Sequence, residues 1–379
     1  MRIAHLITGL DIGGAEVMLH KLLSAMDRDL FEPLVVSLVR PGRMAERIRS
    51  LGIEVQTLGM RRGVPNVGAL VQLVQLLRRF RPDLVQTWMY HADLLGTLAV
   101  PLANRPKLVW NIRQSDLDPQ LSPPRTRLAA RAGAVLSRIA PDRIVCCSER
   151  ARTVHLRLGY RRDILTLIPN GFDLARFRPN PEARARLRSE LEIGMDTPVL
   201  GLVARFDPQK DLGTFLRAGA LVRAQRPDCR FLLCGLGMDD SNTELMAWLG
   251  QLGLLNAVHL LGQRSDTPRV FASLDLLVSS SAYGEGFPNV IGEAMACGCP
   301  CAVTDVGDSA QIVADTGLAV PPREPRALAA AMEQLLAEGP AALARRGAAA
   351  RARVKANYSL PRIATRYAEL YLSLQRERV

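Results

Sequence analysis

A chain of 379 residues that is 48% apolar and 23% charged is too apolar for a disordered or low-complexity polymer and long enough for two α/β domains. No apolar stretch reaches the ~20 residues that a bilayer-spanning helix needs. The formal charge is +12, and residues 1–170 hold 25 Lys+Arg against 14 Asp+Glu, a net +11 that leaves +1 for the rest. That asymmetry makes anionic lipid headgroups, phosphorylated acceptors and nucleic acid the candidate targets of the first half.

Strand and helix patterns alternate from the start. Residues 3–8 already read as a strand, so a secretory leader is not expected. Apolar runs at 34–38, 53–58, 84–87, 108–112, 143–147 and 165–168 follow, separated by helical patterns, which points to a parallel sheet covered on both faces. Between the first strand and the first helix, Thr8-Gly-Leu-Asp-Ile-Gly-Gly-Ala-Glu16 places Gly13 and Gly14 where backbone can approach a ligand and helix N–H groups add positive potential. It is not the G-x-G-x-x-G of dinucleotide binders, and a simple tight turn is the other reading. His91, in Trp88-Met-Tyr-His-Ala-Asp93, stands at a strand end, as does Arg113 in Val109-Trp-Asn-Ile-Arg-Gln-Ser-Asp116. His5, His20, His155 and His259 read as ordinary strand or helix residues, and no group of histidines forms a metal site. Over 124–139, Arg127, Arg131 and Arg138 share one helical stripe, and Leu128, Ala132, Val135, Leu136 and Ile139 share the next. Packing of that apolar stripe on the protein's own sheet is expected. The alternative is a basic amphipathic helix lying in a headgroup layer.

A turn-rich break at 168–179 precedes a second set of runs at 199–204, 230–234, 258–261, 276–279, 301–304 and 318–320, and 324 to the end is helical. Val203-Ala-Arg-Phe-Asp-Pro-Gln-Lys-Asp-Leu212 leaves the first of these strands with Arg205 and Lys210 spaced to reach one diphosphate, the arginine as a planar fork and the lysine as a compact charge. Gly235, in Cys234-Gly-Leu-Gly237, and Arg264, in Leu261-Gly-Gln-Arg-Ser-Asp266, lie on loops that follow strands of this second set, with Arg264 open to two readings, flat against a base or an ordinary exposed arginine. Next comes Ser281-Ala-Tyr-Gly-Glu-Gly-Phe-Pro-Asn-Val-Ile-Gly-Glu-Ala-Met-Ala-Cys-Gly-Cys-Pro300. A buried strand at 276–279 delivers Glu285 to the carboxyl edge of a sheet, where N–H groups of the helix 289–297 can hold an anion. Glu293 follows one turn into that helix. The seven cysteines lack C-x-x-C spacing, and Cys297, Cys299 and Cys301 read as small buried residues of a reducing cytoplasm.

The run from Glu285 to Pro300 resembles the glutamate-x7-glutamate signature of retaining glycosyltransferases of family 4, also called group 1, which have the GT-B fold. The resemblance implies two facing Rossmann-like α/β/α domains with an interdomain cleft. Residues 1–170 would bind acceptor, 171–180 would link, 181–358 would bind nucleotide sugar, and the helix 359–379 would return to the first domain. It implies that Glu285 contacts the donor sugar and Glu293 the ribose, and that Arg205 and Lys210 hold the diphosphate. Gly286, Phe287, Pro288, Asn289 and Val290 complete the nucleotide-sugar site with Gly235 and Arg264. Gly13 and Gly14, in a Gly-Gly-Ala-Glu loop, face the donor phosphates. The family's acceptor-side histidine is replaced by Arg113, which cannot serve as a general base; in the front-face mechanism the departing phosphate takes the acceptor proton, and His91 is the remaining histidine candidate. The expected enzyme needs no metal or other cofactor. It is cytoplasmic, peripheral on the inner face of the membrane, and transfers sugar to a glycan or polyisoprenyl-diphosphate-linked acceptor in polysaccharide assembly. An anionic membrane surface is a further candidate partner, and nucleic acid is not expected. A nucleotide-sugar 2-epimerase of the same fold and a non-catalytic sugar-nucleotide-binding scaffold are the rival readings.

Overall fold

The computed structural model describes residues 1–11, 13–60, 66–118 and 122–377. The chain divides into two units, Met1–Gly171 together with Leu360–Val379, and Phe172–Ser359. The first is built on seven parallel strands: β1 (Arg2–Ile7), β2 (Glu32–Ser37), β3 (Glu54–Thr57), β4 (Leu84–Trp88), β5 (Lys107–Ile112), β6 (Arg143–Cys146) and β7 (Leu165–Leu167). Their order is β3-β2-β1-β4-β5-β6-β7. Successive residues such as Leu34, Val35 and Val36 are all buried, because helices cover both faces of the sheet; the strands therefore read as continuous apolar runs rather than alternating ones.

The last helix, Leu360–Arg376, belongs to this unit. Ile363, Tyr367, Tyr371 and Leu374 recur at helical spacing on one face and are 0% exposed, within the same core as Ile3, Ile7, Met18, Phe31 and Trp88. Their polar atoms are satisfied there: Asn111 Nδ2 donates to Tyr367 Oη at 3.0 Å, and Tyr371 Oη donates to Gln86 Oε1. Phe31 meets Tyr371 edge-on at 5.9 Å.

The second unit carries β8 (Val199–Val203), β9 (Arg230–Cys234), β10 (Val258–Leu260), β11 (Leu276–Ser279), β12 (Cys301–Thr304) and β13 (Leu318–Val320), all parallel, in the order β10-β9-β8-β11-β12-β13. In both sheets the winding reverses beside the first strand, at β1/β4 and at β8/β11. Ligand sites of open α/β sheets lie at the carboxyl ends of such strand pairs. Of residues 171–180, read from sequence as a linker, Gly171 belongs to the first unit and 172–180 to this one, with Phe172 fully buried.

One expectation fails. The helix Pro124–Leu136 buries Ala129, Ala130, Gly133 and Ala134, while Leu128, Val135 and Ile139 are exposed. Only small residues fit its inner face: a Cβ on Gly133 would stand 2.2 Å from the Tyr160 hydroxyl. The larger residues are therefore turned out.

Candidate functional site

In the second unit three loops converge at the carboxyl edge of β8, β11 and β12. The loop after β8 makes the 3-10 turn Pro208–Lys210, started by Asp207, whose carboxylate accepts from Gln209 N–H at 2.9 Å. It is tied to the loop after β11 by Ala282 N–H donating to Gln209 O and Ser280 Oγ donating to Lys210 O, both at 2.8 Å. Within this frame Lys210 Nζ donates to Glu285 Oε1, and Ser281 Oγ donates to the same oxygen at 2.8 Å. The ion pair is largely withdrawn from water, with side chains 19% and 10% exposed, so its charges are poorly screened. The loop after β12 closes the arrangement. Thr304 Oγ1 donates to Ser281 O at 2.6 Å, and Asp308 N–H donates to Gly286 O at 2.9 Å. Gly307 has φ +65°, and a Cβ there would lie 2.5 Å from Glu285 O, so that position accepts only glycine.

Glu285 leads into the helix Asn289–Ala296, with Pro288 at its N-cap. Phe287 is buried between Phe172, stacked at 6.2 Å, and Tyr358, edge-on at 5.2 Å. Gly292 lets the helix sit on Phe172, since a Cβ would come within 2.1 Å of that ring. Arg351 Nη1 donates to Ala296 O and to Phe177 O, placing a cation at the negative end of the helix. Glu293 rises half-buried from the second turn, and Gly286, Asn289 and Val290 are also half-buried around the helix start.

Arg205 is turned onto its own loop. Its Nε donates to Asp207 Oδ2 at 2.8 Å, and the side chain is 55% exposed. Burial pushes the Asp207 carboxyl up, but the Arg205 hydrogen bond, the Gln209 N–H and the nearby Lys210 charge outweigh it and leave it below its usual value. Gly235 has φ +149°, and a Cβ would sit 1.9 Å from Ala204 O; its N–H donates to Gly262 O at 2.8 Å, joining the loops after β9 and β10. Arg264 forks onto Asp266 at 2.8 and 2.6 Å, and that hydrogen-bonded pairing holds the Asp266 carboxyl below its ordinary value.

In the first unit, Gly13 caps the helix Gly14–Ala25 in extended backbone, φ −150°, a conformation open to any residue. A Cβ on Gly14 would meet nothing within 4 Å, and one on Gly13 would meet the Glu16 carboxylate. His91 is the second residue of the helix Tyr90–Ala99, half-buried, and burial lowers its pKa. The residue that turns β4 into this helix, Met89, has φ 74° and ψ 156°, a region otherwise reserved for glycine and a mark of strain. Arg113 follows β5. Its guanidinium lies 5.5 Å over the Trp88 ring, and it donates to Asn170 Oδ1 and, at 3.5 Å, to Asn111 Oδ1.

Several residues of these surroundings have no sequence motif. Asp93 is buried, accepts from Thr87 Oγ1, and is held well above the ordinary carboxylate range by desolvation. Tyr90 Oη and His155 Nε2 are 2.7 Å apart, with the His155 pKa driven down to about 4 by burial. A polar residue inside the apolar face of the helix Tyr90–Ala99 was the only signal for Asp93. Ser281 stood at the head of the glutamate run without being singled out. Among the described residues no group of three or more His, Cys, Asp or Glu is arranged to hold a metal ion.

Comparison with known proteins follows these same divisions. Residues 12–176 match the family described as glycosyltransferase family 4, and residues 197–338 match glycosyl transferases group 1. EpsF of Bacillus subtilis (strain 168) is 27% identical over 314 residues, 80% of this chain and 79% of its own. The UDP-Gal:alpha-D-GlcNAc-diphosphoundecaprenol alpha-1,3-galactosyltransferase of Escherichia coli is 25% identical over 248 residues, 64% of this chain and 63% of its own, so the match spans less than two thirds of that enzyme. Among solved structures, Anabaena HepE in complex with UDP superimposes with a TM-score of 0.87 at 25% identity, covering 98% of this chain and 100% of that one. HepE in complex with UDP-glucose gives 0.83 over the same coverage.

Proposed function

The chain is a glycosyltransferase of the GT-B fold that resembles the group 1, family 4 enzymes along both units, and from that premise we propose a retaining, metal-independent hexosyl transfer. The donor is a uridine diphosphate sugar and the acceptor a glycan carried on a polyisoprenyl diphosphate. The observation that carries this reading is the Lys210–Glu285 pair, fixed with Ser281 where β8 and β11 part. A cation for a diphosphate and a carboxylate for a sugar stand side by side there, on loops whose positions are set by backbone hydrogen bonds. The UDP and UDP-glucose complexes of HepE support the choice of base, and the E. coli relative, named for a UDP-Gal donor and a diphosphoundecaprenol acceptor, supports the acceptor class.

In the proposed reaction the bond between sugar C1 and the β-phosphate oxygen breaks, and the acceptor oxygen bonds to C1 on the same face. The acceptor proton passes to the departing diphosphate, and uridine diphosphate leaves. Lys210 and Arg205 offset the charge that gathers on the leaving group, and Glu285 faces the positive charge that builds at C1. Glu293 holds the ribose hydroxyls. In the first unit His91, kept neutral by its partial burial, and Arg113, stacked on Trp88, serve the acceptor. Catalysis takes place in the cytoplasm.

A thermal-shift screen of UDP-, GDP-, ADP- and dTDP-sugars tests the donor, and UDP-sugars alone should raise the melting temperature. Product from an α-linked donor should be α-linked by NMR, and turnover should survive EDTA. Stabilisation by GDP-sugars only, an inverted anomeric centre, or loss of turnover in EDTA overturns the corresponding part of the reading.

A further inference from the structure

The helix Pro124–Leu136 presents an outward face that the core does not use. Leu128, Val135 and Ile139 are 68%, 69% and 82% exposed, three of the four most exposed large hydrophobic side chains among the described residues. At 100° per residue Leu128 and Val135 fall within about 20° of one another, and Ile139, with Arg138, follows in the turn that ends the helix. Arg125 flanks them on one side, Arg131 and Arg138 on the other, all exposed. The inner face cannot take the larger residues in exchange. Tyr160 Oη donates to Ala130 O at 3.0 Å, and Ala129 and Ala130 pack with Tyr90. The orientation is thus fixed by the fold.

What covers this face follows from its charge. Residues 119–141 contain four arginines and no Asp or Glu, within a first half of net charge +11. A second copy of the chain across a two-fold axis would lay the same arginines against one another. An anionic surface with an apolar interior matches both components, since a helix with apolar centre and basic flanks seats itself at the boundary between headgroups and acyl chains.

We propose that this face docks the protein on an anionic phospholipid leaflet. Leu128, Val135 and Ile139 enter the acyl boundary, and Arg125, Arg131 and Arg138 lie among the phosphates. The docking is a property of the surface, independent of which sugar is transferred, so it is measured without turnover.

The full chain is floated with phosphatidylcholine vesicles with and without phosphatidylglycerol, at low and high salt. It should float only with the anionic vesicles and release as salt rises. Partitioning should weaken about fivefold for each of Arg125, Arg131 and Arg138 made glutamine, and should be lost in Leu128→Gln/Val135→Gln/Ile139→Gln. These side chains are exposed, so the variants should melt like wild type. As a second readout, Val135→Cys is labelled with an environment-sensitive dye, the seven native thiols being buried. Its emission should shift to the blue on adding anionic vesicles, whereas a label at Leu30→Cys should not respond. Failure of wild type to float at low salt overturns the proposal, as does flotation of the triple apolar variant at wild-type level. A wild-type dimer that the triple variant converts to monomers also overturns it, by making the face an interface between copies.

Discussion

Lys210 and Arg205 leave the same loop, yet the structure gives them different burdens. Lys210 is the cation beside a buried carboxylate, so Lys210→Met should cost about 3 kcal/mol of stability by taking away the charge that Glu285 pairs with. Adding Glu285→Gln should recover part of that loss in a double-mutant cycle read by urea melts. Arg205 is 55% exposed and bonded within its own loop, so Arg205→Ala should change stability by less than about 0.5 kcal/mol. Both single variants should bind nucleoside diphosphate about 1.5–3 kcal/mol more weakly by calorimetry. Asp93 makes a prediction of another kind. Its native carboxyl is held well above the usual range by burial, so the folded chain keeps a proton that the unfolded chain releases near pH 4. The stability this contributes is fully present below the unfolded pKa and is lost as pH rises toward the folded one. Asn is neutral throughout and can still accept from Thr87. Asp93→Asn should therefore match wild type near pH 4 and gain on it steadily toward pH 8 in thermal melts; parallel curves would refute the protonated assignment.

At the scale of elements, the helix Asn289–Ala296 is set by one missing methyl group. Gly292→Ala would push against Phe172, itself stacked on Phe287. It should destabilise by about 1–3 kcal/mol and raise the donor KM through displaced Glu293, with Phe172→Leu restoring part of both. The strands were legible because buried parallel strands leave unbroken apolar runs, so thirteen of them could be marked from residues alone, β9, β11, β12 and β13 with the same bounds and the other nine shifted by one or two residues at their ends. Glu285 was legible because its strand, loop and helix are contiguous. Its partner was not: Lys210 lies 75 residues away, and no local pattern tells a lysine bound for phosphate from one bound to a carboxylate. The helix Pro124–Leu136 was misread for a related reason. Periodicity shows which residues share a face, but the direction of that face depends on what the small face can admit, here the hydroxyl of Tyr160. Arg113 stood out by its position at a strand end, where the resembled family has a histidine, and its stacking on Trp88 and its bond to Asn170 are products of the fold.

For the whole molecule, the two units differ in how the chain supplies them. The second is one uninterrupted segment, Phe172–Ser359, whereas the first needs Leu360–Val379 as well. Residues 172–359 expressed alone should melt cooperatively and bind nucleoside diphosphate by calorimetry. Residues 1–171 alone should not, because four fully buried residues of the last helix would be missing from their core. A cooperative melt of 1–171 at wild-type temperature would show that the last helix is an ornament on a finished core.

The same discontinuity has a consequence on the ribosome. The first half is synthesised first but cannot be completed until the final helix emerges, 188 residues later. At ordinary elongation speed that interval is roughly 10–40 s, during which the groove destined for Ile363, Tyr367, Tyr371 and Leu374 stays open to solvent or to chaperones. The unit made second is thus the first whose residues are all synthesised, and a nascent chain stopped at residue 359 holds every residue of the second unit but not of the first.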